Sequence, residues 1–295
     1  MRMRIAAVAL TLLIAMTSWA ATPAASPDPS LPTFRVTTAE VHLTFTAVRG
    51  RNQAVTDLSL ADFVVLRDGY PIDQIVSFGP YRQSPLSALV LTDVSDSMLK
   101  GLPMERAAAE WLRANSEPSS DRIAFVDFGY DVETGKGVSL ADRHMTSLYD
   151  ALVETLPRYA SDGTGRRALI LLTDGMDNYS YHSLEDAITL AQRFDIAVYA
   201  ITAHPGKKQY YRPDLLQKLC EETGGKYYDV RKPDAMLNAI SEINDELRNG
   251  FELVFRPDAA GAGMHQLSIQ PNQRGMRFFH RTAYFQPGHE ELASE

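Results

Sequence analysis

The chain has 295 residues, 45% of them apolar and 22% charged, and carries a formal net charge of −8 at pH 7. That composition is the one of a globular protein with a sizeable core, and its sign argues against any general affinity for nucleic acid or anionic membrane. The single cysteine, Cys220, excludes an intramolecular disulfide, so the core alone must hold the fold.

The N-terminus has the layout of an export signal. Arg2 and Arg4 precede an apolar run from Ile5 to Met16, too short for an ordinary membrane span, and Ser18-Trp19-Ala20 offers small residues for cleavage after Ala20. An extracytoplasmic location is therefore expected, periplasmic or secreted, with an uncleaved membrane anchor as the alternative. Residues 21–33 are rich in Ala, Pro and Ser and are expected to be a linker.

From residue 34 the pattern is strand-like. Val41, Leu43, Phe45 and Val48 lead to the turn at Gly50; Phe63 to Leu66 runs into Asp68-Gly69; Ile75, Val76 and Phe78 precede Gly79-Pro80. At Leu86 the pattern changes to alternating strands and helices. Ala88–Leu91, Ile123–Val126, Ala168–Leu172 and Ile196–Ile201 are continuous apolar runs, as strands buried on both faces require. Helices are expected over about 104–114, 147–156, 184–194, 213–222 and 234–248, with a capping box at Ser183 and Asp186 and a stop at Gly224-Gly225. Cys220 lies on the fourth of these with Leu216 one turn before it, the setting of a buried structural thiol. Strands return at 251–255, 266–269 and 281–285. The expected architecture is α/β: a doubly wound, mostly parallel sheet over 85–249, flanked by β segments at 34–84 and 250–287 that pair into a small sandwich around it, with a disordered tail at 288–295.

Three oxygen-rich segments stand at the ends of expected elements. Asp93-Val94-Ser95-Asp96-Ser97 follows the first buried strand, Thr173-Asp174-Gly175 follows another, and Thr146 immediately precedes a helix. Ligands of doubly wound sheets bind beyond the carboxyl ends of strands where the strand order reverses, so Asp93 and Asp174 are expected to converge there. Two converging carboxylates repel each other unless a cation lies between them. The hydroxyls of Ser95, Ser97 and Thr146 are neutral oxygen donors suited to a hard ion such as Mg²⁺, with Mn²⁺ or Ca²⁺ as alternatives. Taken singly, each segment reads as a helix cap or a turn; it is their combination that points to a metal.

At these residues the sequence resembles the von Willebrand factor A family with its metal-ion-dependent adhesion site. The resemblance spans about 86–249 and is carried by Leu91-Thr92-Asp93-Val94-Ser95-Asp96-Ser97-Met98, by Thr146 to Leu152 and by Arg166 to Gly175. Leu60 to Gly69, Ile75 to Phe78, Glu222 to Gly225 and Arg281 to Phe285 are similar to the bacterial subgroup described as VWFA-related in acidobacteria, so it covers nearly all of the chain beyond the signal segment. It implies a sheet with one antiparallel edge strand, a metal held by Asp93, Ser95, Ser97, Thr146 and Asp174, and binding of a protein partner's carboxylate without catalysis. Two departures stand out. Asp96 occupies a position usually held by Gly, and His144-Met145 stands where Gly-Gly is common.

The loop that follows the strand ending near Ile201 emerges on the same sheet edge. Its Lys207, Lys208, Tyr210, Tyr211 and Arg212, with Asp96, form a candidate rim for an acidic protein partner, against the alternative of a merely solvated loop. No paired histidine spacing, nucleophile elbow or phosphate loop is present. The expected function is an exported, non-enzymatic adhesion or scaffold module. A cation-assisted hydrolase or phosphatase and a purely structural scaffold are the alternatives.

Overall fold

The computed structural model describes residues 40–50, 53–81, 85–130, 132–133, 145–160, 165–203, 212–257 and 261–288. The expected signal segment, linker and acidic tail end lie outside them, as do His144 and the loop residues Lys207, Lys208, Tyr210 and Tyr211. The first strands are β1 (Val41–Arg49), β2 (Gln53–Ala54), β3 (Phe63–Arg67), β4 (Tyr70–Pro71) and β5 (Ile75–Pro80). Then come β6 (Leu86–Asp93), α1 (Leu102–Ala114), β7 (Arg122–Phe128), β8 (Val132–Glu133), α2 (Leu148–Ala160), β9 (Arg166–Leu172) and α3 (Leu184–Arg193). The chain continues through β10 (Ile196–Ala203), α4 (Pro213–Thr223), β11 (Tyr227–Val230) and α5 (Pro233–Arg248). It closes with β12 (Phe251–Phe255), β13 (Gly263–Pro271), β14 (Met276–His280) and β15 (Ala283–Gln286).

The architecture is mixed α/β. Six strands form a sheet in the order β11-β10-β9-β6-β7-β8, parallel throughout except for the antiparallel edge strand β8. The apolar runs of its inner strands are continuous because both faces are covered. Leu89 and Leu91, with Leu169, Leu171 and Val198, face a core completed by α2, α3 and α4. The alternate residues Ala88 and Val90, with Ala168, Ile170 and Tyr199, face a second core completed by α1 and α5. Each fully buried Leu, Ile or Val in these layers contributes roughly 1.5–3 kcal/mol. Cys220 is buried in the first core, and burial pushes its thiol well above the ordinary range, as expected of a structural cysteine.

The flanking strands build two antiparallel sheets, β14-β1-β12-β5 (with β2 on β1) and β15-β13-β3-β4. A third core lies between them, made of Leu43 and Phe45 from β1, Phe63 and Val65 from β3, Phe251 and Leu253 from β12, and Leu267 and Ile269 from β13. The chain leaves this pair of sheets by β5 and returns by β12, and the two are hydrogen-bonded neighbours in register from Phe251 opposite Pro80. Tyr81 N–H donates to the Gly250 carbonyl at 3.2 Å and carries the ladder one step further. Exit and return are thus side by side, which lets a whole α/β unit sit between two strands of one sheet. No helix among the described residues is long and apolar enough to cross a membrane.

Candidate functional site

Strands β6 and β9 are adjacent and parallel, with Thr92 opposite Leu172, so Asp93 and Thr173 emerge side by side at their carboxyl ends. From there the two connections part: β6 leads to α1 on one face and β9 leads to α3 on the other. Diverging loops leave a crevice between them, which is where an α/β sheet offers a ligand its backbone and side-chain groups.

Asp93, the last residue of β6, is 0% exposed. Its Oδ1 accepts from Ser95 N–H at 2.9 Å and its Oδ2 from the Thr173 hydroxyl at 2.7 Å. Burial drives its carboxyl upward and the nearby Asp174 charge adds to that; hydrogen bonds from Ser95 and Thr173 oppose it, and the balance leaves it at about 6. Thr173 is itself fixed, its carbonyl accepting from the Thr202 hydroxyl of β10 at 2.7 Å.

The chain after Asp93 forms a single 3-10 turn, Asp96–Met98, with Ser95 at its entry and Met98 N–H donating to the Ser95 carbonyl at 3.0 Å. The turn brings the Ser95 and Ser97 hydroxyls within 3.1 Å of each other, Ser95 buried and Ser97 exposed, with Asp96 between them partly exposed. Ser95, at the entry, makes no side-chain cap of the turn. On the other side of the crevice Asp174 is nearly buried, its Oδ1 accepting from Met176 N–H at 3.0 Å. Gly175 follows with φ +82°, and a Cβ there would lie 2.9 Å from Leu216 Cγ, so the sharp exit after Asp174 requires glycine.

Thr146 is buried and reaches the same place by a different route. Its N–H donates to Asn178 Oδ1 at 2.8 Å, and its carbonyl accepts from Asn178 N–H at 3.1 Å and Tyr179 N–H at 3.2 Å. The Leu148 N–H donates to Asp177 Oδ1 at 2.8 Å, and Ser180 Oγ accepts from Tyr149 and Asp150 N–H at 3.0 and 3.1 Å. The first turn of α2 is therefore capped by the segment that follows Asp174, not by Thr146. The side chains of Asp177 and Asn178 thus clasp the Thr146 loop. Asp177→Ala removes that cap and is expected to cost about 0.5–2 kcal/mol, read as a lower urea midpoint.

The structure thus brings Asp93, Ser95, Ser97, Thr173 and Asp174 to one crevice and ties Thr146 to its rim. Of the candidate partner-binding loop only Arg212 lies within the described residues. Its N–H donates to the Asp174 carbonyl at 3.1 Å, while its guanidinium is held bidentately by Asp214 at 3.1 and 2.9 Å. Exposed aromatic surface stands elsewhere on the same edge, in Tyr179, which packs edge-on against Tyr130 at 4.8 Å, and in Tyr181, 91% exposed.

One acidic residue at the crevice escapes inspection of the loops. Glu105 in the first turn of α1 is 0% exposed, and neither of its carboxylate oxygens has a hydrogen-bond partner among the described residues. Burial first, then the charges of Asp93, Asp174 and Asp127, push its carboxyl well above the usual range. The signal in the sequence is its register: Glu105, Ala108 and Leu112 fall on one stripe of α1, and all are buried, so a carboxylate sits where the helix pattern calls for an apolar side chain. Among the described residues no three His, Cys, Asp or Glu side chains lie close enough to hold one ion directly.

No family model matches the chain. An uncharacterised protein of Borreliella burgdorferi is 25% identical over 142 residues, 42% of this chain and 38% of that one, so the chain matches well under half the length of this curated relative. Among solved structures, an aerotolerance-related membrane protein from Bacteroides fragilis is similar at 18% identity over 56% of this chain and 98% of its own, with a TM-score of 0.43. Proximal thread matrix protein 1 from the mussel byssus is similar at 12% identity, covering 68% of this chain and 50% of its own, with a TM-score of 0.47. A von Willebrand factor type A protein from Catenulispora acidiphila is similar at 11% identity, covering 89% and 78%, with a TM-score of 0.41.

Proposed function

We propose that the chain is an exported, non-enzymatic protein-binding module of the von Willebrand factor A type. In it Asp93, Ser95, Ser97, Thr146 and Asp174 hold one divalent cation, Mg²⁺ foremost, at the carboxyl end of a doubly wound sheet. The observation that carries this is the burial of the Asp93 carboxylate beside Asp174 at the mouth of β6 and β9. An unpaired buried charge is costly, and a pair of them more so.

The donors fit a hard cation. All are oxygens, two are carboxylates, and the Ser95 and Ser97 hydroxyls lie 3.1 Å apart, close enough to serve a single ion. Ser97 is exposed, so the crevice is open on that side. A cation bound there would supply the charge that compensates Asp93 and Asp174 and an electrophilic position for a carboxylate from a partner. The chain's own groups do the rest: Thr173 and Ser95 N–H fix the Asp93 carboxylate, and Asn178 and Asp177 hold the Thr146 loop against the Asp174 loop. The exposed tyrosines at 179 and 181 offer the partner aromatic surface beside the ion.

The test is a capture experiment on an exported proteome, with wild type and Asp93→Ala, each with and without chelator. A captured set that wild type loses on chelation, and that Asp93→Ala never holds while still folded, is the expected result. A set indifferent to both changes would sink the proposal.

A further inference from the structure

The strongest unexplained feature beside the site is Glu105. Its carboxylate lies under the N-terminus of α1. A Cβ on Gly101 would come within 3.1 Å of Glu105 Oε1 and 2.7 Å of the carbonyl of Ala203, so the acid occupies the narrow space between the start of α1 and the end of β10. There it is wholly buried and lacks any hydrogen-bond partner among the described residues, and both elements beside it lead into the site: Gly101 N–H donates to the carbonyl of Met98, the end of the Asp96–Met98 turn, at 2.8 Å, and the hydroxyl of Thr202, next to Ala203, donates to the Thr173 carbonyl at 2.7 Å. Native interiors rarely leave both oxygens of a buried carboxyl unsatisfied. Nothing in packing explains it either: Ala108 and Leu112 complete the same buried stripe with apolar side chains. A carboxylate retained at such a point is accounted for by something positive in front of it.

We infer that Glu105 is a positioning residue of the cation site, a third carboxylate that acts on the bound ion at one remove and sets how tightly the site holds it. It is not a direct ligand, since no three acidic or histidine side chains among the described residues converge on one point. Acceptors behind the direct ligands of a metal commonly change its affinity by about 10–100-fold when removed. The inference rests on the cation site proposed above.

The experiment measures Mn²⁺ binding to the full chain from the electron paramagnetic resonance of free Mn²⁺, together with cation-free thermal melting. It compares wild type, Asp93→Ala, Glu105→Gln and Glu105→Leu. Both Glu105 variants remove the charge, one as a near-isostere and one as an apolar side chain, so whichever folds gives the result. Weaker Mn²⁺ binding by about 10–100-fold, with a cation-free midpoint no lower than that of wild type, is expected. A purely structural glutamate would move the melting and leave the affinity alone, and an unchanged affinity in a folded variant overturns the inference. If Mn²⁺ binds wild type and not Asp93→Ala, that second result falls on Glu105 alone; if wild type takes up no Mn²⁺, the site itself is lost and the role of Glu105 with it.

Discussion

Asp93→Asn is expected to stabilise the cation-free protein at pH 7 and to destabilise it, relative to wild type, once Mg²⁺ is present. The reason lies in where the proton is bound. The Asp93 carboxyl titrates at about 6 in the folded chain against an ordinary 3.8, with burial as the main cause. A group that holds its proton more tightly when folded contributes fully at a pH below its unfolded value. That contribution shrinks as the pH rises through its folded value and is gone above it. Cation-free wild type should therefore lose stability between about pH 4 and pH 6 and then level off, by on the order of 2–3 kcal/mol from this residue. An asparagine has no proton to lose and should lack that part of the slope. For a chain of this size each kcal/mol moves the midpoint by about 2–4 °C.

Adding the cation reverses the order. Saturation at about 100 times Kd stabilises wild type by about 2.7 kcal/mol, and the variant, lacking one of two carboxylate donors, gains little. Melting both proteins from pH 4 to pH 7, in chelator and in millimolar Mg²⁺, should give two pairs of curves that cross. A wild-type curve that keeps its pH slope in chelator and is unmoved by Mg²⁺ would mean that Asp93 is an ordinary buried acid and that no ion is held there.

The elements most legible in the sequence are those whose burial is decided locally. Ala168–Leu172 and Ile196–Ile201 are apolar at every position because helices cover both faces, and both stand within β9 and β10. The capping box at Ser183 and Asp186 appears as read, with Asp186 N–H donating to Ser183 Oγ at 3.2 Å. Errors arise where a distant contact decides. β9 begins at Arg166, not Ala168, because β6 pairs with it from Leu86 opposite Arg166 onward and Arg166 N–H donates to the Pro85 carbonyl at 3.0 Å, a register no local pattern announces. The helix expected over about 147–156 runs on through Pro157 to Ala160, whose burial with the packing of Tyr159 draws the last turn onto the first core. β14 is absent from the sequence reading since Met276-Arg277-Phe278-Phe279-His280 has no alternation; its partner is β1, at the far end of the chain. The site divides the same way. Asp93 and Asp174 are legible because each follows a readable strand, whereas the grip of Asp177 and Asn178 on the Thr146 loop depends on two loops meeting in space.

The second large effect is expected far from the crevice, at Phe45. Its side chain is 0% exposed and lies at the centre of an aromatic cluster drawn from both ends of the chain. Ring centroids stand 5.5 Å from Phe63, 6.2 Å from Phe78, 5.8 Å from Phe251 and 5.8 Å from Phe278. Phe63 and Phe78 precede the α/β segment; Phe251 and Phe278 follow it. Phe45 also anchors β1, which pairs with β12 on one side and β14 on the other, so one side chain secures three strands of the sheet. Phe45→Ala should cost about 3–5 kcal/mol, the transfer of a phenyl group plus the cavity it leaves. That is a large fraction of the total stability of an ordinary domain. Because β5 and β12 are neighbours at the point where the α/β unit leaves and rejoins the sheets, loosening this core should also free its two ends. Urea unfolding followed by hydrogen exchange on β6 and β9 distinguishes the consequences. If the inserted unit depends on the sandwich to hold its ends together, exchange at Leu89–Leu91 and Leu169–Leu171 rises along with that at β1. Protection retained at those strands while β1 opens would show that the parallel sheet stands on its own two cores.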